Sequence, residues 1–233
     1  MSLDDNKNLS LVIPVYNESE FLERILNRVS DVDPVDELVI VDDHSQDDSY
    51  RIIREFDYPD GLTVQHFRND SNRGKGYCVR EGIKQATGDI IGIQDADLEY
   101  FPEDIPRLLE PLYDERAEVV YGSRNLSEHK SFSFYYYLGN SILTLLTNII
   151  YNIYITDVET CYKFFRKEVV DPAELHSDTF TIENELTARI VRNGYRIYEV
   201  PIRYSARSRE EGKKITAWDG IKAAGAIFWY RFF

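Results

Sequence analysis

Four short runs of β-branched and aliphatic residues, at 10–16, 37–43, 62–67 and 89–97, leave this chain few ways to fold. Each has the length and composition of a buried strand. The stretches between them, 17–30, 45–56 and 73–86, carry apolar residues at helical spacing. Asn17 or Ser19 and Ser45 stand where N-caps of the first two helices are expected. Strand and helix in alternation predict βαβ units, hence an α/β fold with a largely parallel central sheet flanked by helices. Ligands on such sheets bind beyond the carboxyl ends of the strands. A length of 233 residues suits a single domain with a full core.

The turns that leave these strands are polar and mostly acidic. "PVYNE", "VDDHSQDDS" and "DADLEY" come directly after strands and are expected along one sheet edge. Asp95 and Asp97 are one residue apart, and side chains at i and i+2 of an extended segment point the same way. They are expected to face one cavity, with Glu99 continuing the row if the chain stays extended. Close carboxylates repel unless a cation lies between them or one is protonated. Hard oxygen donors suit Mg²⁺ or Mn²⁺, and Mg²⁺ typically adds substrate phosphates and water to one or two carboxylates. An isolated D-x-D is ordinarily a solvated turn; its place after a strong strand favours a metal–diphosphate site. Asp42 or Asp43 is placed to accept hydrogen bonds from a base or ribose. Arg73 and Lys75, around Gly74 and Gly76 at a helix start, are placed to meet an anion. That stretch is neither a P-loop nor a G-x-G-x-x-G fingerprint.

A formal net charge of −14 argues against broad nucleic-acid binding. The charge is segregated, with 89–118 mostly acidic and 189–214 mostly basic, as suits a site holding a cation on one wall and phosphates on the other. Cys78 and Cys161 are too few for a disulfide framework or zinc knuckle and read as reduced thiols of a cytoplasmic protein. The first ten residues resemble no secretory leader. Residues 131–156 carry no charge, and Leu138, Ile142, Leu145, Leu146, Ile149 and Ile150 form a helical stripe interrupted by Asn and Thr. With the apolar, aromatic stretch 216–233, this predicts interfacial helices rather than membrane spans, part of the surface going to core packing. Peripheral attachment to the inner face of a membrane, or a homodimer, is expected through these segments.

Taken together and in order, "VIPVYNE" (12–18), "VDDHSQDDS" (41–49), "NRGKG" (72–76), "DADLEY" (95–100), "YGSR" (121–124), "DVETCYKFFR" (157–166), "RIYEVPIRY" (196–204) and the stretch 210–220 resemble the family-2 glycosyltransferases. The pattern is most similar to the dolichyl- and polyprenyl-phosphate mannose and glucose synthases. The resemblance implies a GT-A nucleotide-sugar-binding fold and inverting, metal-dependent transfer of a hexose from a GDP-mannose- or UDP-glucose-type donor. Pro14, Tyr16, Glu18 and Asp43 match its nucleotide-binding turns. Asp95, Ala96 and Asp97 match the D-x-D that holds Mg²⁺ or Mn²⁺ on the donor diphosphate. Arg124 and Lys214 match regions that meet phosphate in the lipid-phosphate branch, although Lys213 replaces the serine of the usual G-x-S-K loop.

A polyprenyl-phosphate acceptor needs little general-base help, because a phosphate's second pKa is about 6. A glycan or protein hydroxyl would need a base, with Glu183 or Glu185 as candidates. The plainer reading of that pair is acid enrichment at a helix N-terminus. A sugar-1-phosphate nucleotidyltransferase would place a glycine-rich loop where this chain has "PVYNES". A two-carboxylate glycosidase would explain neither the basic loop nor the turns at the sheet edge.

Overall fold

The computed structural model of the protein describes residues 7–126, 134–207 and 217–233. The expected alternation is present: β1 (Leu9–Val15), α1 (Ser19–Ser30), β2 (Glu37–Asp42), α2 (Ser49–Glu55), β3 (Thr63–Arg68), α3 (Lys75–Gln85) and β4 (Ile90–Ile93). The remaining elements are α4 (Ile105–Tyr113), β5 (Val119–Ser123), α5 (Phe134–Tyr151), β6 (Lys163–Arg166), α6 (Ile182–Arg192), β7 (Ile197–Pro201) and α7 (Ala217–Phe232). One seven-stranded sheet runs in the order β3-β2-β1-β4-β6-β5-β7. β1 to β4 are mutually parallel where they pair, β6 is antiparallel to both neighbours, and β5 pairs parallel with β7.

From β1 the chain winds outward to β3, then crosses to the other side of β1 to lay down β4. The crevice at the carboxyl ends of β1 and β4 is therefore the topological switch point, where open α/β sheets hold ligands. Leu11, Val12, Ile13, Leu38, Val39, Ile40, Ile90, Ile91 and Ile93 have no exposed surface, because helices cover both faces here. This is why these strands read as unbroken apolar runs. β3, at the sheet edge, is half exposed, which accounts for its weaker signal. On α1, Leu22, Ile25, Leu26 and Val29 are buried at i, i+3, i+4 and i+7. Each contributes roughly 1.5–3 kcal/mol by that burial.

The expected caps are not the ones used. α2 begins at Ser49, four residues later than predicted from Ser45, and neither α1 nor α2 has a side-chain cap from its own N-cap residue. The polar groups instead stitch two turns together. Ser45 Oγ accepts from Asn17 N–H, Ser49 Oγ from Glu18 N–H, and Asp47 Oδ2 from Ser19 N–H. Thus the N–H groups leading into α1, up to Ser19, are satisfied by the neighbouring turn, while those of Phe21 and Leu22 donate to the Glu18 carbonyl.

α5, α6 and α7 enclose a second apolar cluster containing Leu143, Tyr151, Ile155, Val158, Ala188, Ala223 and Ile227. On α5 the buried positions are Leu143, Thr144, Thr147 and Tyr151. Leu138, Ile142, Leu145 and Ile149 of the predicted stripe face outward, while Leu146 and Ile150 pack partly against the cluster. Both cysteines are buried and unpaired.

At the amino end of β2, Glu37 is 3% exposed and accepts hydrogen bonds from Ser10 Oγ, Thr87 N–H, Thr87 Oγ1 and Gln65 Nε2. Burial pushes this carboxyl up, but the hydrogen bonds outweigh it and hold it below its ordinary range. A lowered folded-state pKa means the stabilisation is complete above the unfolded value of about 4.3 and fades as pH falls through the folded value. Replacing Glu37 by Ala is expected to cost about 3 kcal/mol in urea unfolding at neutral pH, since it strands buried donors. Glu37→Gln should flatten the acid limb of stability against pH; an unchanged limb would show that Glu37 is not its source.

Candidate active site

Most side chains of the site issue from a carboxyl end of a strand or from a helix start beyond it. Glu18 follows β1, Asp43 follows β2, Asp95 and Asp97 follow β4, and Arg124 follows β5. Lys75 opens α3, Glu183 lies in the first turn of α6, and Arg207 lies beyond β7. The structure thus gathers the predicted residues on one edge, with Lys214 outside the described residues.

The segment bearing Asp95 and Asp97 is not extended. It turns, Leu98 takes a φ of 60°, and Asp97 Oδ1 accepts from Glu99 N–H at 3.1 Å. Strand alternation is therefore not what gathers the carboxylates; cations do so. Lys75 Nζ lies 2.8 Å from Asp95 Oδ1, and Arg207 Nη2 lies 3.0 Å from Asp97 Oδ2. Arg207 Nη1 also reaches Glu18 Oε2 at 3.1 Å, and its backbone N–H donates to Glu99 Oε1 at 2.8 Å. Glu99 Oε2 accepts from Tyr204 O–H at 2.5 Å.

Burial, then repulsion from Asp95 and Glu99, pushes the Asp97 carboxyl upward against the pull of Arg207. This crowding is the observation that fits a divalent ion. Asp95 and Asp97 offer hard oxygens in an environment where more positive charge would be stabilising. Among the described residues, no group of three or more His, Cys, Asp or Glu side chains is arranged to hold a metal by itself. The remaining ligands would have to come from substrate and water, as Mg²⁺ sites commonly allow.

Asp43 is almost fully buried, and its carboxylate holds a loop rather than an open position. It accepts from Arg73 N–H, Gly74 N–H and Asn69 Nδ2, each at 2.7 Å. Gly74 has φ +95°, and a Cβ there would collide with the Asp178 carbonyl, so glycine is required. The loop so fixed delivers Lys75 to Asp95. Burial opposes the Lys75 charge, but Asp95 and Glu183 hold its ammonium well above the ordinary range. Asp42, fully buried, pairs with Arg68 Nε at 3.2 Å and leaves Oδ1 without a partner. Pro14 lies within β1, Tyr16 is 36% exposed on the following turn, and Ala96 is buried between the two aspartates.

Glu183 does not have the surroundings of an open general base. Its oxygens lie 3.1 Å from Lys75 Nζ and 2.8 Å from Lys163 Nζ, so it is a counterion between two ammonium groups. Glu185 accepts from His176 and Ser177 N–H groups and is fully buried. Both carboxylates stand in the first turn of α6, as the dipole reading expects, and each also has specific partners outside that turn. Arg124 forms a two-point pair with Asp157, Nε–Oδ2 and Nη2–Oδ1 both at 2.7 Å, and its guanidinium lies 5.0 Å from the Tyr204 ring centroid. Burial alone would raise the Asp157 carboxyl, but Arg124 holds it below the ordinary range. Arg207, Lys163 and Asp157 join the candidate site in the structure, and the sequence alone does not single them out. Lys163 carries a signal, as a lone cation in the apolar run "CYKFF".

This is a doubly wound α/β architecture with a charged rim at its topological switch point. The chain matches the Glycosyl transferase family 2 profile over residues 10–172 and belongs to that family. It is a glycosyltransferase of GT-A fold. It is 27% identical over 230 residues to a UDP-N-acetylglucosamine–dolichyl-phosphate N-acetylglucosaminyltransferase of Methanococcus voltae, covering 90% of this chain and 91% of that one. It is 31% identical over 220 residues to a dolichol-phosphate mannosyltransferase of Pyrococcus furiosus, covering 88% of this chain but 58% of the longer relative. Among solved structures, glucosyl-3-phosphoglycerate synthase of Mycobacterium tuberculosis with UDP aligns with a TM-score of 0.70 at 19% identity, over 97% of this chain and 80% of that one. The same synthase has been crystallised with Mn²⁺, UDP and phosphoglyceric acid.

Removing the Glu183 charge is expected to act through structure. Glu183→Gln leaves two buried ammonium groups short of a counterion, so stability should fall by about 3–5 kcal/mol. The residual transfer rate should keep the wild-type pH profile. A variant of unchanged melting temperature that loses only the alkaline, base-dependent rate would restore Glu183 as the general base.

Proposed function

We propose that the protein transfers a hexose, with inversion, from a GDP-mannose- or UDP-glucose-type donor to a polyprenyl or dolichyl phosphate, aided by Mg²⁺ or Mn²⁺. The carboxylate–cation rim at the β1/β4 switch point is the observation that carries this reading. Asp95 and Asp97 would hold the metal, which when bound supplies positive charge to the departing diphosphate. Lys75 orients Asp95, and the Asp43-bound loop keeps Lys75 in place. An acceptor phosphate oxygen attacks the anomeric carbon from the face opposite the nucleoside diphosphate. The new C–O bond forms as the old one breaks, and the electron pair leaves on the diphosphate.

The lipid-phosphate acceptor is favoured by the state of the nearby carboxylates. Asp95, Asp97, Glu99, Glu183 and Glu185 are all paired with cations or donated hydrogen bonds. A nucleophile that arrives already ionised fits such a site better than a hydroxyl that must be deprotonated. The names of the Methanococcus voltae and Pyrococcus furiosus relatives point the same way.

The outer face of α5 and α7 supplies the matching surface. Tyr135, Leu138, Ile142, Leu145 and Ile149 are exposed on α5, as are Trp218, Ile221, Phe228, Trp229 and Phe232 on α7. The helices are packed together, with Tyr151 O–H donating to the Ile227 carbonyl at 2.9 Å. Among the described residues, no helix is long and apolar enough to cross a membrane. An apolar face edged by Trp, Tyr and Phe is suited to the boundary of a lipid bilayer.

Asp97→Asn should keep the fold and lose Mn²⁺-dependent transfer of labelled sugar to polyprenyl phosphate; retained turnover would remove Asp97 from the mechanism. Wild-type protein is expected to float with phosphatidylethanolamine–phosphatidylglycerol vesicles. Ile142→Glu with Leu145→Glu should abolish flotation without lowering the melting temperature, because both positions are exposed. A vesicle-free sedimentation dimer that the same double substitution dissociates, with no flotation, would assign the face to a second copy instead.

A further inference from the structure

One guanidinium serves three carboxylates at the rim. Arg207 touches Asp97 and Glu18 through its side chain and Glu99 through its backbone N–H, bridging the turns after β1 and β4. It rests against Phe21, 5.2 Å from the ring centroid. The fit is incomplete. Its Nε–H is buried without an aligned acceptor, the nearest Glu99 oxygen being 3.9 Å away. The carboxylates it contacts outnumber its single positive charge, so the pocket keeps an excess of negative charge that a guanidinium only partly neutralises.

We propose that Arg207 is a stand-in for the divalent ion: it neutralises Asp97 in the free enzyme and is displaced from that carboxylate when the metal binds. The displaced guanidinium then faces the donor diphosphate that accompanies the metal. Two arguments support the exchange. An Asp97 oxygen that accepts a charge-assisted hydrogen bond from Arg207 is less available as a metal ligand, so the two cations compete. A guanidinium also matches phosphate in two-point geometry, so it has a favourable second partner once released. Free carboxylates need not repel one another while the site awaits substrate, and the metal binds well only together with the diphosphate. The inference rests on the metal–diphosphate part of the proposed function and is independent of the acceptor.

The test is Mn²⁺ binding by electron paramagnetic resonance, without donor, paired with melting temperatures. Arg207→Gln should lower the metal-free melting temperature, because three carboxylates lose their cation. It should nevertheless bind Mn²⁺ more tightly than wild type, on the order of tenfold, the scale of one charge-assisted hydrogen bond. Mn²⁺ should therefore raise its melting temperature further than that of wild type. UDP should tighten Mn²⁺ binding less in Arg207→Gln than in wild type, because the guanidinium that couples the two ligands is gone. Arg207→Lys, with a compact charge unable to bridge both side chains, should be intermediate and serves if Arg207→Gln does not fold. Equal or weaker Mn²⁺ binding in the variants, with wild type binding, overturns this inference and leaves the metal site standing. Failure of wild type and variants alike to bind Mn²⁺ even with UDP present overturns both.

Discussion

The site depends on cations brought from far along the chain to carboxylates that cannot neutralise one another. Two like charges about 4 Å apart repel by about 4 kcal/mol at an effective dielectric of 20, and burial adds to that cost. Lys75, from the start of α3, and Arg207, from beyond β7, offset it. Glu183 and Lys163 extend the alternation of charge from the rim toward the interior. Remove any member and its neighbours lose a counterion they share, so these residues are coupled and their effects should not add. The same alternation fixes the relative positions of α3, α6 and the segment after β7, none of which is a sequence neighbour of another. The charge network is thus part of the fold as well as of the chemistry.

The periodic part of this arrangement was legible in the residues. Buried strands covered on both faces must be continuous apolar runs, so β1, β2 and β4 announced themselves, and with them the sheet edge where the polar turns converge. The hydrogen bonding of those turns was not legible. Ser45 and Ser19 have the chemistry of local caps, yet Ser45 accepts from Asn17 and Ser19 donates to Asp47. A cap read from sequence assumes that the nearest orphan donor wins, whereas here the parallel register of β1 and β2 brings another turn closer. Arg207 was hidden for a similar reason. It sits 110 residues from Asp97, and only the topology brings them together.

α5 shows a different limit. Its composition declares an amphipathic helix but not which face turns inward. The buried face contains Thr144 and Thr147, and both hydroxyls are satisfied there: Thr147 donates to the Leu143 carbonyl at 2.9 Å, and Thr144 accepts from Val158 N–H at 3.2 Å. With those groups bonded, burial costs little. Outward exposure of Ile142, Leu145 and Ile149 is then unfavourable in water and favourable against an apolar medium.

The apolar face and the rim are also physically joined. Asn140 of α5, on the turn between Leu138 and Ile142, donates to Asp157 Oδ1 at 2.8 Å. That carboxylate is the partner of Arg124. Hence the helix that presents apolar side chains outward also braces the cation expected to meet an acceptor phosphate. For a lipid phosphate this geometry is economical, since the chain stays with the apolar face while the headgroup enters at the polar end of the same helix. A hydroxyl acceptor in bulk water would gain nothing from that connection. The Asn140–Asp157–Arg124 chain therefore links the outward apolar face of α5 to the rim through one helix, the connection that the proposed lipid-phosphate acceptor would use.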